Sequence, residues 1–292
     1  MNGPGANNVA YAVSVTRGVQ VMASDETART PGILVIIGGS EDRRGDREIL
    51  RRFVDLAGGA DAHIVVVGTA TTMPDEVEVD YKHAFSDLVA GFDFLAISSR
   101  EEANDPATIE RLRKASGVFF TGGDQLRIAT IVGGSQTDIF LHQASRDGIV
   151  IGGTSAGAAM MSSTMILGGS DTVPTQDAVR LGPGFELVSG LLIDMHFAER
   201  GRLARLLAAV AQFPHELGVG IDEDTALVVE GNRCEVIGSG AATIVDAGKA
   251  TSEHNNSGAF GLTDVRLHVL PAGFAFDLST REPQIIETDA GA

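Results

Sequence analysis

Ile149-Val150-Ile151-Gly152-Gly153-Thr154-Ser155-Ala156-Gly157-Ala158-Ala159-Met160-Met161 passes within a few residues from one periodicity to another. Ile149 to Gly152 opens as an unbroken apolar run, which suits a strand covered on both faces. Ala156 to Met161 is dominated by good helix formers. Ser155 therefore falls at a strand-to-helix turn, among small neighbours that leave its backbone uncrowded. Such a turn lifts a hydroxyl above the carboxyl edge of a sheet, where open α/β folds bind ligands. That makes Ser155 a candidate nucleophile, and the N–H of Ala156 at the helix start a candidate oxyanion donor. The competing reading is a plain Gly-rich turn in which Thr154 or Ser155 caps the helix.

The same pattern repeats on either side. Short apolar runs at Ile33–Ile37, His63–Val67, Gly117–Phe120 and Gly148–Ile151, with a weaker one at Phe92–Ile97, alternate with helical patterns at Arg47–Ala57, Val79–Val89 and Pro106–Ala115. Asn104-Asp105-Pro106 reads as a helix start. Paired glycines at 38–39, 58–59, 122–123 and 152–153 read as tight turns at strand ends. This alternation predicts an α/β class chain: right-handed crossovers, and a three-layer αβα sandwich around a mostly parallel sheet. Beyond residue 225 the runs Ala226–Glu230, Arg233–Gly238, Ala242–Asp246, Arg266–Leu270 and Phe274–Leu278 predict antiparallel C-terminal strands, extending the sheet or forming a second one. Gly231-Asn232 reads as a hairpin turn, and Thr251–Gly258 as a solvent loop. Residues 1–31 read as a partly disordered extension with a strand-like patch at Val13–Val21, and residues 32–292 as one catalytic domain.

The chain has 292 residues and a formal net charge of −17, so no basic field exists to draw in nucleic acid or an anionic membrane. Its single cysteine, Cys234, lies in an alternating run and reads as a small core residue. No Cys/His spacing suggests a metal site. No signal-peptide pattern or apolar run of about 20 residues is present, and a cytoplasmic protein is expected.

A serine nucleophile needs an adjacent base. Among the histidines, His63 reads as a satisfied core residue, His83 and His142 as helix-surface residues, His254 as a loop residue and His268 as part of a strand. His196 and His215 remain. His196 ends Leu191-Leu192-Ile193-Asp194-Met195-His196-Phe197, at a second strand-to-helix junction, whereas His215 sits in a connection. An orienting carboxylate would come from Asp222-Glu223-Asp224. The order serine, histidine, acid disfavours the alpha/beta-hydrolases, which place the acid before the histidine.

Two further glycine turns matter. Thr121-Gly122-Gly123-Asp124-Gln125 follows a strand and can bring a second oxyanion donor, Gly123, to the site. Gly38-Gly39-Ser40-Glu41-Asp42 lacks the spacing of a dinucleotide or phosphate loop, so a nucleotide role is rejected. Arg200, Arg202 and Arg205 stand out in an acidic chain. On a helix 202 and 205 share a face, while 200 and 202 lie about 200° apart. Gly201 suggests that Arg200 precedes the regular helix. Without other information these arginines read as a solvated basic face, although arginine forks also suit carboxylates.

Taken together, Phe120-Thr-Gly-Gly-Asp-Gln-Leu-Arg127, Gly153-Thr-Ser-Ala-Gly-Ala-Ala-Met160, Asp194 through Leu206, Gly220-Ile-Asp-Glu-Asp-Thr-Ala226 and Ile36-Ile-Gly-Gly-Ser-Glu-Asp42 resemble the cyanophycinase family of peptidase E-like serine peptidases. The resemblance runs from about residue 32 to about residue 280. It implies a flavodoxin-like or class I glutamine-amidotransferase-like sandwich. It also implies exo-type hydrolysis of cyanophycin, a polyaspartate with arginine on each side chain, to β-Asp-Arg dipeptides. By motif, Ser155, His196 and Glu223 would be catalytic, with Gly123 and Ala156 as oxyanion donors. Gln125, Asp194, Arg200, Arg202 and Arg205 would bind substrate. A homodimer that needs no metal or other cofactor is implied as well. One position departs: the family motif reads Asp-Gln-His-Phe, and Met195 stands for the glutamine, removing an amide.

Overall fold

The computed structural model describes residues 32–169, 178–254 and 260–286. The expected N-terminal extension, its patch at Val13–Val21 and residues 255–258 of the expected loop lie outside them. The first half of the chain runs β1 (Leu34–Ile37), α1 (Glu48–Leu56), β2 (His63–Val67), α2 (Pro74–Phe85), β3 (Gly91–Leu95), α3 (Pro106–Leu112), β4 (Gly117–Phe120), α4 (Gln125–Val132), α5 (Gln136–Arg146), β5 (Val150–Thr154) and α6 (Ala156–Ala159). β6 (Thr164–Gly169) and β7 (Val179–Pro183) form a ribbon, followed by β8 (Leu191–Met195), α7 (Leu203–Gln212) and β9 (Leu217–Ile221). Then come β10 (Thr225–Glu230), β11 (Arg233–Gly238), β12 (Ala241–Asp246), β13 (Thr251–His254), β14 (Phe260–Thr263), β15 (Arg266–Pro271), β16 (Phe274–Asp277) and β17 (Glu282–Ile285).

The main sheet has the order β17-β16-β11-β10-β1-β5-β4-β2-β3. Its β1, β5, β4, β2 and β3 are parallel, and β10 begins the antiparallel flank against β1. A second sheet, β15-β12-β9-β8, pairs β8 and β9 in parallel. Both anticipated fates of the C-terminal strands are thus realised: β10, β11, β16 and β17 extend the main sheet, while β12 and β15 join the second. The expected loop at 251–258 is a strand over Thr251–His254, paired with Phe260–Thr263.

Apolar periodicity explains the layering. α1 turns Ile49, Leu50, Phe53 and Val54 inward, and with Tyr81, Phe85 and Phe119 they fill one face of the main sheet. On the other face α3, α4 and α5 cover one part, and the second sheet covers β1 and β10 through Ile193, Val219 and Ile244. α7 closes the second sheet from outside with Leu206, Ala209 and Val210. α2 begins five residues earlier than expected because Pro74 occupies its first turn. Leu88 and Val89, which resemble its continuation, follow the helix end and pack on the same core.

Gly152 and Gly153 correct the expected strand end. They do not terminate β5 but lie within it. A Cβ on Gly152 would meet the Phe53 ring at 2.8 Å, and one on Gly153 would meet the Gly157 carbonyl oxygen at 2.4 Å. The glycines let α1 and α6 approach the strand. Cys234 is buried, and burial pushes its thiol up to about 12, so it is a core residue without thiolate chemistry. Gly153→Ala should cost about 1–3 kcal/mol by overpacking against a backbone that cannot rotate away. Denaturant unfolding of the variant should show a lowered midpoint at unchanged slope.

Candidate active site

The end of β1 organises the site through its backbone. Ser155 N–H donates to the Ile37 carbonyl at 3.0 Å, His196 N–H to the Gly38 carbonyl at 2.8 Å, and Asp224 N–H to the Gly39 carbonyl at 2.8 Å. Three consecutive carbonyls thus hold the ends of β5, of β8 and of the turn after β9. A Cβ on Gly39 would lie 2.2 Å from His196 Cε1, so only glycine leaves room for the imidazole. Ser155 (φ 52°), His196 (φ 48°) and Asp224 (φ 47°) all carry positive φ, a strained state for residues with a Cβ.

Ser155 lies between the end of β5 and the start of α6, as the strand-to-helix reading predicts. Its Oγ lies 2.9 Å from His196 Nε2, and His196 Nδ1 lies 2.6 Å from Glu223 Oε1. β8 and β9 are parallel neighbours with Met195 opposite Ile221, so His196 and Glu223 leave the same end of one sheet. The three candidate acids separate cleanly. Asp222 accepts the N–H groups of Ala198 (3.0 Å) and Ala241 (3.1 Å), and Asp224 accepts that of Asp42 (2.9 Å). Only Glu223 reaches the imidazole. Its hydrogen bond to His196 holds the carboxyl below its usual range.

Gly123 lines the cavity beside Ser155. At φ 142° a side chain there would strike the Ala70 carbonyl oxygen at 2.2 Å. Ala156 is the first residue of α6, so its N–H has no acceptor within the helix. Gln125 lines the same wall and donates its amide to the Ile166 carbonyl at 3.0 Å.

The arginines are not the solvated face that local sequence suggests. Arg202 and Arg205 are only 9% and 7% exposed. Arg205 grips Asp194 through both Nε (2.9 Å) and Nη2, while Arg202 reaches Asp194 at 3.4 Å and the Met195 carbonyl. Asp194 is fully buried and does not line the cavity; it backs the two arginines, which do. Arg200 is exposed, lines the cavity and precedes Gly201 (φ 61°) and α7. Met195, 5% exposed, forms apolar wall where an amide was expected.

Among the described side chains, no other histidine lines this cavity. His215 is exposed, as are His83 and, in part, His142. His63 differs from expectation: it is half-buried, and its Nε2 finds no partner among the described residues. Sequence reasoning missed Glu41, Arg43, Val77 and Tyr81, which also line the cavity. Nothing in the Gly38–Asp42 turn signalled them once a nucleotide role was set aside.

The arrangement can move a proton from a serine hydroxyl to an imidazole whose other nitrogen faces an anion. Glu223→Gln should lower kcat by about 10²- to 10⁴-fold through loss of that anion. Because the Glu223 pKa is depressed by folding, its contribution to stability is present above the unfolded carboxylate value. It fades as pH falls through the folded one. Asp194→Ala should cost about 3–5 kcal/mol by stranding buried guanidinium charge, visible as a lowered thermal midpoint.

Comparison with known proteins bears on the family of the chain. The model of peptidase family S51 matches residues 34–237. A cyanophycinase from Synechococcus elongatus is 36% identical over 263 residues, covering 87% of this chain and 81% of that protein. One from a Nostoc species is 37% identical over 276 residues, covering 90% and 92%. Among solved structures, a peptidase from an acI-B1 Actinobacterium superposes with a TM-score of 0.64 at 19% identity, covering 85% of this chain and 98% of its own. That likeness bears on the fold alone. By the span of the family match and the identity to these relatives, the chain belongs to peptidase family S51.

Proposed function

We propose that this chain is a serine-type exopeptidase that hydrolyses cyanophycin to β-Asp-Arg dipeptides through an acyl-enzyme on Ser155. The observation that carries the reading is the relay Ser155 Oγ–His196 Nε2 (2.9 Å) and His196 Nδ1–Glu223 Oε1 (2.6 Å), set in a cavity walled by Arg200, Arg202 and Arg205. The similarity to cyanophycinases over most of the chain supplies the substrate class.

In this scheme Ser155 Oγ attacks a backbone carbonyl as His196 Nε2 takes its proton. The N–H groups of Gly123 and Ala156 receive the oxyanion. His196 returns the proton to the leaving amine, and water then releases the acyl group by the same route. Glu223 holds the imidazole tautomer and stabilises the imidazolium. No metal or other cofactor enters any step. Arg202 and Arg205, locked by Asp194, place fixed positive charge in the cavity wall beside substrate carboxylates, with Gln125 and the more exposed Arg200 next to them. Action as a homodimer in the cytoplasm is part of the same proposal, and the dimer rests on the family resemblance.

Met195 favours a second reading, a related aspartyl or isoaspartyl dipeptidase acting on soluble peptides, because an apolar wall replaces an amide. Mass spectrometry of products from purified cyanophycin separates the outcomes. The wild type should release β-Asp-Arg, and Ser155→Ala should reduce release by at least about 10⁴-fold while keeping its fold. Release undiminished in that variant would sink the serine assignment. Turnover of β-aspartyl dipeptides without polymer turnover would establish the second reading.

A further inference from the structure

Arg43 follows the Gly38-Gly39 turn and takes no part in the relay, yet it lines the cavity that holds Ser155. Its loop is fixed by Asp42, whose carboxylate accepts the N–H groups of Arg44, Gly45 and Arg47 at 2.9, 2.8 and 2.9 Å. The guanidinium lies over the Tyr81 ring, 5.0 Å from its centroid. Its Nε meets Glu41 Oε1 at 3.4 Å. Glu41 is buried and accepts the Tyr81 hydroxyl at 2.7 Å and the Thr154 hydroxyl at 2.5 Å. A chain of contacts therefore runs from Arg43 to the residue preceding Ser155.

The position of this arginine relative to the other three matters most. Tyr81 belongs to α2 and packs in the apolar layer that α1 and α2 form on one face of the main sheet. Met195, between Asp194 and the relay, belongs to the layer on the opposite face, as does the second sheet that carries Arg202 and Arg205 at the start of α7. Ser155, at the end of a central strand, lies between the two groups. The cavity thus presents guanidinium groups from both sides of the nucleophile.

We propose that Arg43 forms a second subsite, binding a carboxylate of the substrate unit that lies across the scissile bond from the Arg202–Arg205 wall. The proposal rests on the peptidase reading above. Chemically, Glu41 occupies the Nε edge, and among the described residues the acid paired with Nη1 is Asp80, at 3.8 Å and 46% exposed. The Nη edge of a side chain that is one-third exposed is left to pair with an incoming carboxylate. Stacking on Tyr81 and the Glu41 contact hold the fork in place before binding, which reduces the ordering cost. Each β-Asp-Arg unit carries a free carboxylate on its arginine. A substrate spanning Ser155 therefore brings one carboxylate to each side.

The test uses a dimer of β-Asp-Arg and two versions of it, each with one arginine carboxylate converted to the amide. KM is measured for the wild type, Arg43→Met and Arg43→Lys, together with protection of Ser155 against a fluorophosphonate. In the wild type each amide should raise KM and the protecting concentration by about 10- to 100-fold. Arg43→Met should erase the penalty of one amide and leave that of the other. Arg43→Lys keeps the charge without the fork, should retain part of that penalty, and carries the test if the methionine variant does not fold. Equal weakening of all three dimers in Arg43→Met, or survival of both penalties, overturns the subsite while wild-type turnover leaves the peptidase reading standing. A wild type that neither cleaves the dimer nor is protected by it overturns both.

Discussion

The carbonyl groups of Ile37, Gly38 and Gly39 are the constraint on which the site depends. Each accepts one N–H from a different part of the chain: the turn after β5, the end of β8 and the turn after β9. Backbone hydrogen bonds are directional and leave little freedom along the chain. Three of them from adjacent residues therefore fix Ser155, His196 and the loop that carries Glu223 against one short rigid rod. The positive φ angles at Ser155, His196 and Asp224 are tolerable because these bonds, and the sheets behind them, overdetermine the local backbone.

The second theme is charge placed against the average of the molecule. A chain of net charge −17 has to assemble a cationic cavity. It does so by burying Asp194 beneath Arg202 and Arg205, so that the guanidinium groups are partly compensated from behind and still face the cavity. Isolated buried charge is costly, and a pair with good geometry offsets much of that cost. The same logic operates at Glu41, which is enclosed by Tyr81, Thr154 and Arg43. In both places an acid that does not reach the reacting atoms determines how an arginine is presented.

Much of the fold was legible because buried parallel strands leave a plain trace. His63–Val67 and Gly117–Phe120 match β2 and β4 residue for residue, since each is a continuous apolar run with a clear break at its end. The trace failed where glycine serves packing rather than turning, as at Gly152 and Gly153. It also failed for β6 and β7, which are partly exposed and without clean alternation. In the site, the turn at Ser155 was readable from its small neighbours. The choice among Asp222, Glu223 and Asp224 was not, because three adjacent acids differ only in what their backbones permit. The burial of Arg202 and Arg205 was equally hidden, since it depends on how Gly201 bends the chain back over Asp194. Backbone carbonyls carry no side-chain signature, so the anchoring role of residues 37–39 left no mark at all.

Ser155 stands at the edge of the main sheet, whereas His196 and Glu223 stand at the edge of the second. Their 2.9 Å contact therefore spans two separately hydrogen-bonded layers. It behaves as an alignment gauge for the whole molecule: a slip of about an ångström between the layers takes the contact beyond hydrogen-bonding range. No strand need break for this to happen. In such a design the Ser155–His196 contact is lost before secondary structure is, so it reports how the two layers are seated rather than how much of the chain is folded.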